Sequence, residues 1–231
     1  METRTKKKKS KKKMNLKNNI LKRVYFIRHG KTPANEKGIY QDASIALSSV
    51  GEEQAKAVAE RFKSIPAETI VSSDYRRAEQ TAEAISLQTE ISIVFSELFR
   101  EVKRPSDIIG KEKKDSYAQK IFNEMIENEL DANWHHLDEE NLFDLTERAK
   151  NALSHLTSLP EKNIIVVTHE FFLKTMLSVM ATTDAKNAVS MLRHIRYFMI
   201  GSNTGITIAE YGNFGFGKKW RLVVWNDLAH L

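Results

Sequence analysis

Residues 23–35 read Arg-Val-Tyr-Phe-Ile-Arg-His-Gly-Lys-Thr-Pro-Ala-Asn. The run at 24–27 is apolar, short and continuous, which is the pattern of a strand buried on both faces in a parallel sheet. Two phosphate-handling motifs overlap just after it. Gly30-Lys31-Thr32 matches the end of a nucleotide-binding P-loop, whereas Arg28-His29-Gly30 sets a histidine beside an arginine at the strand's carboxyl end. A P-loop needs G-x-x-x-x-G-K-[ST], because its first glycine opens the turn whose amides cradle phosphate. That position here is Tyr25, in mid-strand, so the loop cannot form.

Working outward, a second apolar run at 164–167 ends close to His169, so two buried strands each deliver a histidine. Shorter strand candidates lie at 69–71, 91–95, 205–209 and 220–225. Helical patterns fall between them at 51–62, 75–87, 142–156 and 171–180. This alternation predicts an α/β fold: a three-layer α/β/α sandwich with a mainly parallel sheet. The interval 103–141 breaks the rhythm with a charged helix at 116–130 and an irregular stretch carrying Trp134, His135 and His136. It is expected to be an inserted cap over the sheet edge where the strands' carboxyl ends gather ligands.

A histidine that accepts a phosphoryl group needs fixed positive donors for the oxygens of a doubly charged phosphomonoester. Arg28 adjoins His29, and Arg77 opens the helix after the 69–71 strand, in Ser-Ser-Asp-Tyr-Arg-Arg-Ala-Glu-Gln-Thr-Ala. Both are expected at the edge that receives His169.

The ordered set of motifs resembles the histidine phosphatase superfamily, the phosphoglycerate-mutase-like fold, over residues 23–231. It comprises R-H-G-K-T-x-x-N at 28–35, L-S-S-V-G-E-E-Q-A at 47–55, S-S-D-x-x-R-A-x-Q-T-A at 72–82, L-F-R-E at 98–101, V-V-T-H at 166–169 and the ending W-R-L-V-V-W-N-D-L-A-H-L at 220–231. The resemblance implies that His29 is the nucleophile forming a phosphohistidine. It implies that Arg28, Arg77 and His169 hold the phosphoryl group, with Asn35 contributing an amide donor. Glu101 matches the acid that protonates the leaving alcohol, with Glu97 as the fallback. An acid working near neutral pH needs its carboxyl raised by burial or by neighbouring carboxylates. No metal or other cofactor is required by this chemistry. Many members carry glycine after the second histidine, where this chain has Glu170; as a first helical residue it suits the helix dipole and is expected to face solvent rather than to repel phosphate.

Composition limits the alternatives. The chain has 231 residues, 29% of them charged and 41% hydrophobic, and no cysteine, which removes disulfides, thiolate zinc sites and cysteine nucleophiles. The formal charge of +6 is misleading, since residues 1–19 alone hold +8 and leave −2 for residues 20–231. Seven lysines within 6–13 repel one another, so the 1–19 segment is expected to be a disordered tail. Such a tract is favoured as a solubilising extension, or as the product of an upstream start before Met14, over an arm for nucleic acid or an anionic membrane. No apolar run long enough for a membrane span follows it, and a cytoplasmic location is expected.

The function expected is therefore that of a metal-independent phosphomonoester phosphatase acting on a small phosphorylated metabolite or a phosphoprotein. Phosphoglycerate-mutase-type phosphoryl transfer ranks below it, because the segment after Glu101 lacks the longer mutase signature. A non-catalytic phosphate-sensing or polyanion-binding protein is the alternative of a different class. His155, His194 and His230 read as packing or surface residues, and no histidine spacing suggests a metal site.

Overall fold

The computed structural model describes residues 19–215 and 217–231; of the tail expected at 1–19, residues 1–18 lie outside them, and Asn19 opens the first strand. Six strands form one sheet: β1 (Asn19–Arg28), β2 (Thr69–Ser72), β3 (Ile93–Phe95), β4 (Asn163–Thr168), β5 (Ile206–Asn213) and β6 (Lys218–Asp227), in spatial order β3-β2-β4-β1-β5-β6. The β3, β2, β4 and β1 strands are parallel, while β5 and β6 extend the sheet antiparallel.

The period-2 alternation of the central strands supplies both faces of the core. From β1, Val24 and Phe26 face one side and Tyr25 and Ile27 the other. The first side receives the apolar stripes of α5 (Leu142–Ser158), α6 (Glu170–Ala181) and α7 (Ala185–Phe198), including Leu145, Leu156, Phe172, Met176 and Leu192. The second receives α2 (Ser49–Phe62) and α3 (Arg76–Thr89) through Val58, Phe62, Ala82 and Ile85. Each of the larger of these side chains, withdrawn from water, stabilises the fold by roughly 1.5–3 kcal/mol before conformational entropy is set against it. The result is the α/β/α sandwich expected from the sequence.

The sequence places His194 in a helical pattern but sets no bounds for a helix between Met180 and the strand near 205; α7 stands there, capped by Asp184, whose side chain accepts from the Asn187 amide. Only Ala188, Val189 and Leu192 of this helix are buried. A stripe that narrow, beside exposed His194, Tyr197 and Phe198, gives a weak periodic signal.

The interval 103–141 holds a short 3-10 turn (Ser106–Ile108) and α4 (Ser116–Asn128). Ile108, Ala118 and Ile121 form a small apolar cluster with Tyr40 from the loop after α1 (Pro33–Lys37). This cluster, together with a bridge pairing Ile39 with Glu112, holds the segment beside the carboxyl end of β1. Glu129 at the end of α4 ties it to α7, because its carboxylate is buried between Arg193 and Arg196.

Candidate active site

β1 and β4 run side by side in register, Arg28 opposite Thr168, so each chain leaves the sheet with a histidine at the same edge. His29 donates its backbone N–H to the Thr168 carbonyl at 3.0 Å. The two imidazoles lie with ring centroids 5.1 Å apart. The turn after His29 is set by close approach: a Cβ on Gly51 would lie 2.0 Å from the Lys31 carbonyl oxygen, so only glycine allows α2 to seat against the loop. The Gly30 amide is held by Thr81 Oγ1 at 3.0 Å.

Hydrogen bonding fixes the His29 tautomer. Nδ1 lies 2.7 Å from the Gly30 carbonyl oxygen, which only accepts, and Nε2 lies 3.2 Å from Arg77 Nε, which only donates. The proton therefore sits on Nδ1, and Nε2 carries a lone pair. Burial, then the charges of Arg77 and Arg28, hold His29 well below the ordinary histidine range. The residue is neutral and only 3% exposed. His169 is similarly buried and neutral, depressed first by burial and then by Arg77 and His29. Its Nε2 meets Ser73 Oγ at 2.9 Å, and Nδ1 is a buried atom without a partner.

Arg77 is 2% exposed, and burial lowers its pKa to about 10, which leaves it cationic at neutral pH. Its Nη1 donates to the Asp42 carbonyl at 2.8 Å and its guanidinium lies over Tyr75, 5.0 Å from the ring centre. Arg28 donates through Nη1 to the Gly201 carbonyl and pairs with Glu170 Oε2 at 2.9 Å. The expectation that Glu170 faces solvent is therefore not met. Its second oxygen takes Lys174 Nζ at 2.6 Å, and the side chain is 29% exposed. Two cations within reach outweigh the pull of the helix's outer face.

Glu101 lines the same cavity as His29 and is gripped by the start of α6. Its oxygens accept the amides of Val102 at 3.0 Å, Phe172 at 2.9 Å and Phe171 at 3.2 Å. Arg148 of α5 steadies the same segment by donating to the carbonyls of Leu98, Arg100 and Glu101. Glu97, the fallback, is an exposed side chain paired with Arg100 at 3.0 Å and does not line the cavity.

Asn35 sits in the first turn of α1, where its Oδ1 accepts the Thr32 amide at 3.1 Å and Asn203 Nδ2 at 3.4 Å. Asn203 also donates to the His29 carbonyl at 2.9 Å. It is one of the residues the sequence reading missed, with Ser73, Tyr75 and Arg148. Ser73 and Tyr75 lie inside a motif already singled out for Arg77, whereas no local signal marks Asn203.

Arg28, His29, Asn35, Arg77 and Glu101 all line one cavity of about 880 Å³. Its outer wall comes from the 103–141 interval and α7, including Phe122, Met125, Trp134 and Tyr197. His135, which is exposed, and half-buried His136 are paired with Asp144 at 2.7 Å and Asp107 at 3.1 Å. They tie the segment around Trp134 to its neighbours. Tyr25, where a P-loop would begin, is buried within β1, and Lys31 does not line the cavity. Among the described residues no helix is long and apolar enough to cross a membrane.

Residues 24–228 match the model of the histidine phosphatase superfamily, branch 1, and the chain belongs to that family. It is 27% identical over 217 residues to a probable phosphoglycerate mutase of Shigella boydii, covering 90% of this chain and 94% of the relative. A probable phosphoglycerate mutase of Salmonella arizonae is 30% identical over 163 residues, covering 67% and 73%. Among solved structures, YhfR of Bacillus stearothermophilus superposes with a TM-score of 0.74 at 23% identity, over 90% of this chain and 98% of that one. A mycobacterial glucosyl-3-phosphoglycerate phosphatase in complex with VO3 superposes with a TM-score of 0.71 at 24% identity, over 89% and 98%. These two likenesses show the fold. Members of the superfamily carry out phosphoryl transfer as phosphatases or mutases.

Proposed function

We propose that the chain is a metal-independent phosphomonoester phosphatase that works through a phosphohistidine on His29. The observation that carries this reading is the fixed tautomer of His29: a neutral, buried imidazole with its Nε2 lone pair held beside a guanidinium, at the wall of a cavity that Glu101 also lines.

In the first step the Nε2 lone pair attacks phosphorus, the P–O bond to the alcohol breaks, and a proton from Glu101 goes to the departing oxygen. Arg28, Arg77 and a donor from His169 stabilise the equatorial oxygens, where charge gathers in the transition state. Nδ1 keeps its proton and donates it in a hydrogen bond to the Gly30 carbonyl, which steadies the positive imidazole as the N–P bond forms. In the second step water attacks phosphorus, Glu101 takes its proton, and the P–N bond breaks to return neutral His29 with inorganic phosphate. Asn35 supplies an amide to the phosphoryl group.

Similarity over nearly the full length to proteins named as probable phosphoglycerate mutases supports a second reading, in which the phosphohistidine returns its group to the acceptor acid. Cavity size favours hydrolysis of something larger. A space of about 880 Å³ suits a ligand of drug-like dimensions rather than a three-carbon acid.

The test is hydrolysis of 1-naphthyl phosphate in excess chelator by the natural chain and by His29→Ala, with 3-phosphoglycerate as a parallel substrate. Turnover that survives chelation and is lost in His29→Ala is the expected result. Isomerised phosphoglycerate without free phosphate would establish the mutase instead, and unaltered turnover by His29→Ala would sink the phosphohistidine.

A further inference from the structure

Arg28 is already engaged. Its Nη1 serves both the Gly201 carbonyl and Glu170 Oε2, while its Nε is buried and has no partner. A guanidinium that leaves one donor orphaned is held by its carboxylate partner rather than by a full set of contacts. Glu170 in turn has more partners than it needs. Besides Arg28 it accepts Lys174 Nζ at 2.6 Å and the Gly201 amide at 3.3 Å. Lys174 is 4% exposed and also donates to the Arg196 carbonyl, so it cannot move away. Burial alone would raise the Glu170 carboxyl, but Arg28 and Lys174 together bring it below the ordinary carboxylate range. It is ionised at neutral pH.

We propose that Glu170 is an affinity-setting residue: its carboxylate occupies Arg28 while the site is empty, and an incoming phosphoryl group must take the arginine from it. This inference rests on the phosphatase reading above. The exchange is inexpensive because Glu170 keeps Lys174 and the Gly201 amide when Arg28 turns to the phosphoryl oxygens. No buried charge is left alone at any stage, which is the condition that makes breaking a buried pair costly elsewhere. The same contact works in reverse after hydrolysis, when Glu170 reclaims Arg28 and helps release inorganic phosphate. A second effect has the same sign. A carboxylate beside the phosphoryl pocket repels a dianion, so both competition and charge lower affinity, and only loss of Arg28 alignment opposes them.

Binding of inorganic phosphate, measured by calorimetry, tests this on the natural chain, on the isosteric Glu170→Gln and on Glu170→Gly. Both variants should bind phosphate more tightly, by roughly tenfold, as expected for removing one charge-assisted contact from the competing side. KM for 1-naphthyl phosphate should fall with them while kcat does not rise. In an Arg28→Ala background the same substitution should lose most of its effect, since Glu170 acts through that arginine. Equal or weaker phosphate binding by Glu170→Gln would overturn the proposal, as would an undiminished gain without Arg28. Should His29→Ala retain turnover, the phosphohistidine falls, while the phosphate-binding comparison still decides the role of Glu170.

Discussion

The Nε–H of Arg77 points at Nε2 of His29 from 3.2 Å, across 48 residues of sequence. In the proposed mechanism one arginine thus does two things: it keeps the imidazole unprotonated at the nitrogen that attacks phosphorus, and it stands ready to meet the phosphoryl oxygens. Lysine cannot reproduce a planar donor that also reaches the Asp42 carbonyl. Arg77→Lys is expected to reduce kcat by a factor on the order of 10²–10³, the usual effect of removing one transition-state donor. Steady-state kinetics with an aryl phosphate measure this, and a loss confined to KM would place Arg77 in ground-state binding only.

The neutral histidine pair also links stability to pH. His29 and His169 both titrate below the ordinary value of about 6.5 when folded. Below that pH the unfolded chain takes up protons that the folded chain refuses, so the native state loses stability as pH falls from about 6.5 toward the depressed folded values. Above that window both states are neutral and the contribution is flat. Thermal melts between pH 8 and pH 5 should show a falling midpoint on the acid side. His169→Gln should shrink the slope, and an unchanged slope would mean that the two histidines protonate as readily folded as unfolded.

Much of the fold and of the candidate site was legible in the sequence because its two histidines sit where pattern is strongest. Strands β1 and β4 are buried on both faces, so their apolar runs stand out, and each histidine follows directly from its run. Arg77 lay in an informative local motif. Asn203 and Gly201 did not, since they reach the site through a loop with no periodicity, and their partners His29, Asn35 and Glu170 lie more than 30 residues away. The position of Glu170 was misjudged for a related reason. Helix position alone points an N-terminal carboxylate outward, and only the fold brings Arg28 beside it.

Glu101 is expected to matter in proportion to how poor the leaving group is. Its carboxyl is fixed by three amides, and in the proposed mechanism its proton is needed only where the alcohol departs with a high pKa. Glu101→Gln should slow hydrolysis of an alkyl phosphate by about 10²–10⁴-fold, the range for a general acid, and that of 4-nitrophenyl phosphate much less in the bond-breaking step. Burst kinetics with the nitrophenyl ester would then show phosphohistidine accumulating, because water activation is also impaired. Equal slowing of bond breaking for both esters would assign Glu101 to positioning instead.

Seating of α2 against the loop after β1 depends on the absence of one side chain. A Cβ at Gly51 would meet backbone atoms of Lys31, none of which belongs to a flexible side chain. Gly51→Ala should therefore displace the loop that carries Gly30 and destabilise the protein by about 1–3 kcal/mol, the usual cost of forcing extra volume into a packed contact. Denaturant unfolding measures the loss, and a stability equal to that of the natural chain would show that the helix shifts without strain.

Selectivity should reside in two cations of the outer cavity. Arg104 stacks on Phe171 with 5.2 Å between guanidinium and ring centre, and Lys113 lies 5.9 Å from the Tyr40 ring centre. Neither has an ion pair among the described residues, in a cavity where Glu129, Asp138, Glu140 and Glu170 are each matched to a basic partner. The protein around Lys113, and then Arg104, draw its ammonium below the ordinary lysine range, which marks the pair as mutually repulsive when nothing lies between them. A substrate whose body carries a second anionic group would relieve that repulsion, while an uncharged body would gain only the aromatic and methionine walls. Arg104→Ala and Lys113→Ala are each expected to raise KM for such acidic phosphomonoesters by roughly three- to tenfold, since about 1.4 kcal/mol corresponds to a factor of ten. KM for 1-naphthyl phosphate should change less than twofold on the same scale. Comparing the two substrate classes across the two variants decides the matter: parallel losses for both would assign these cations to holding the cavity wall rather than to reading the substrate's charge.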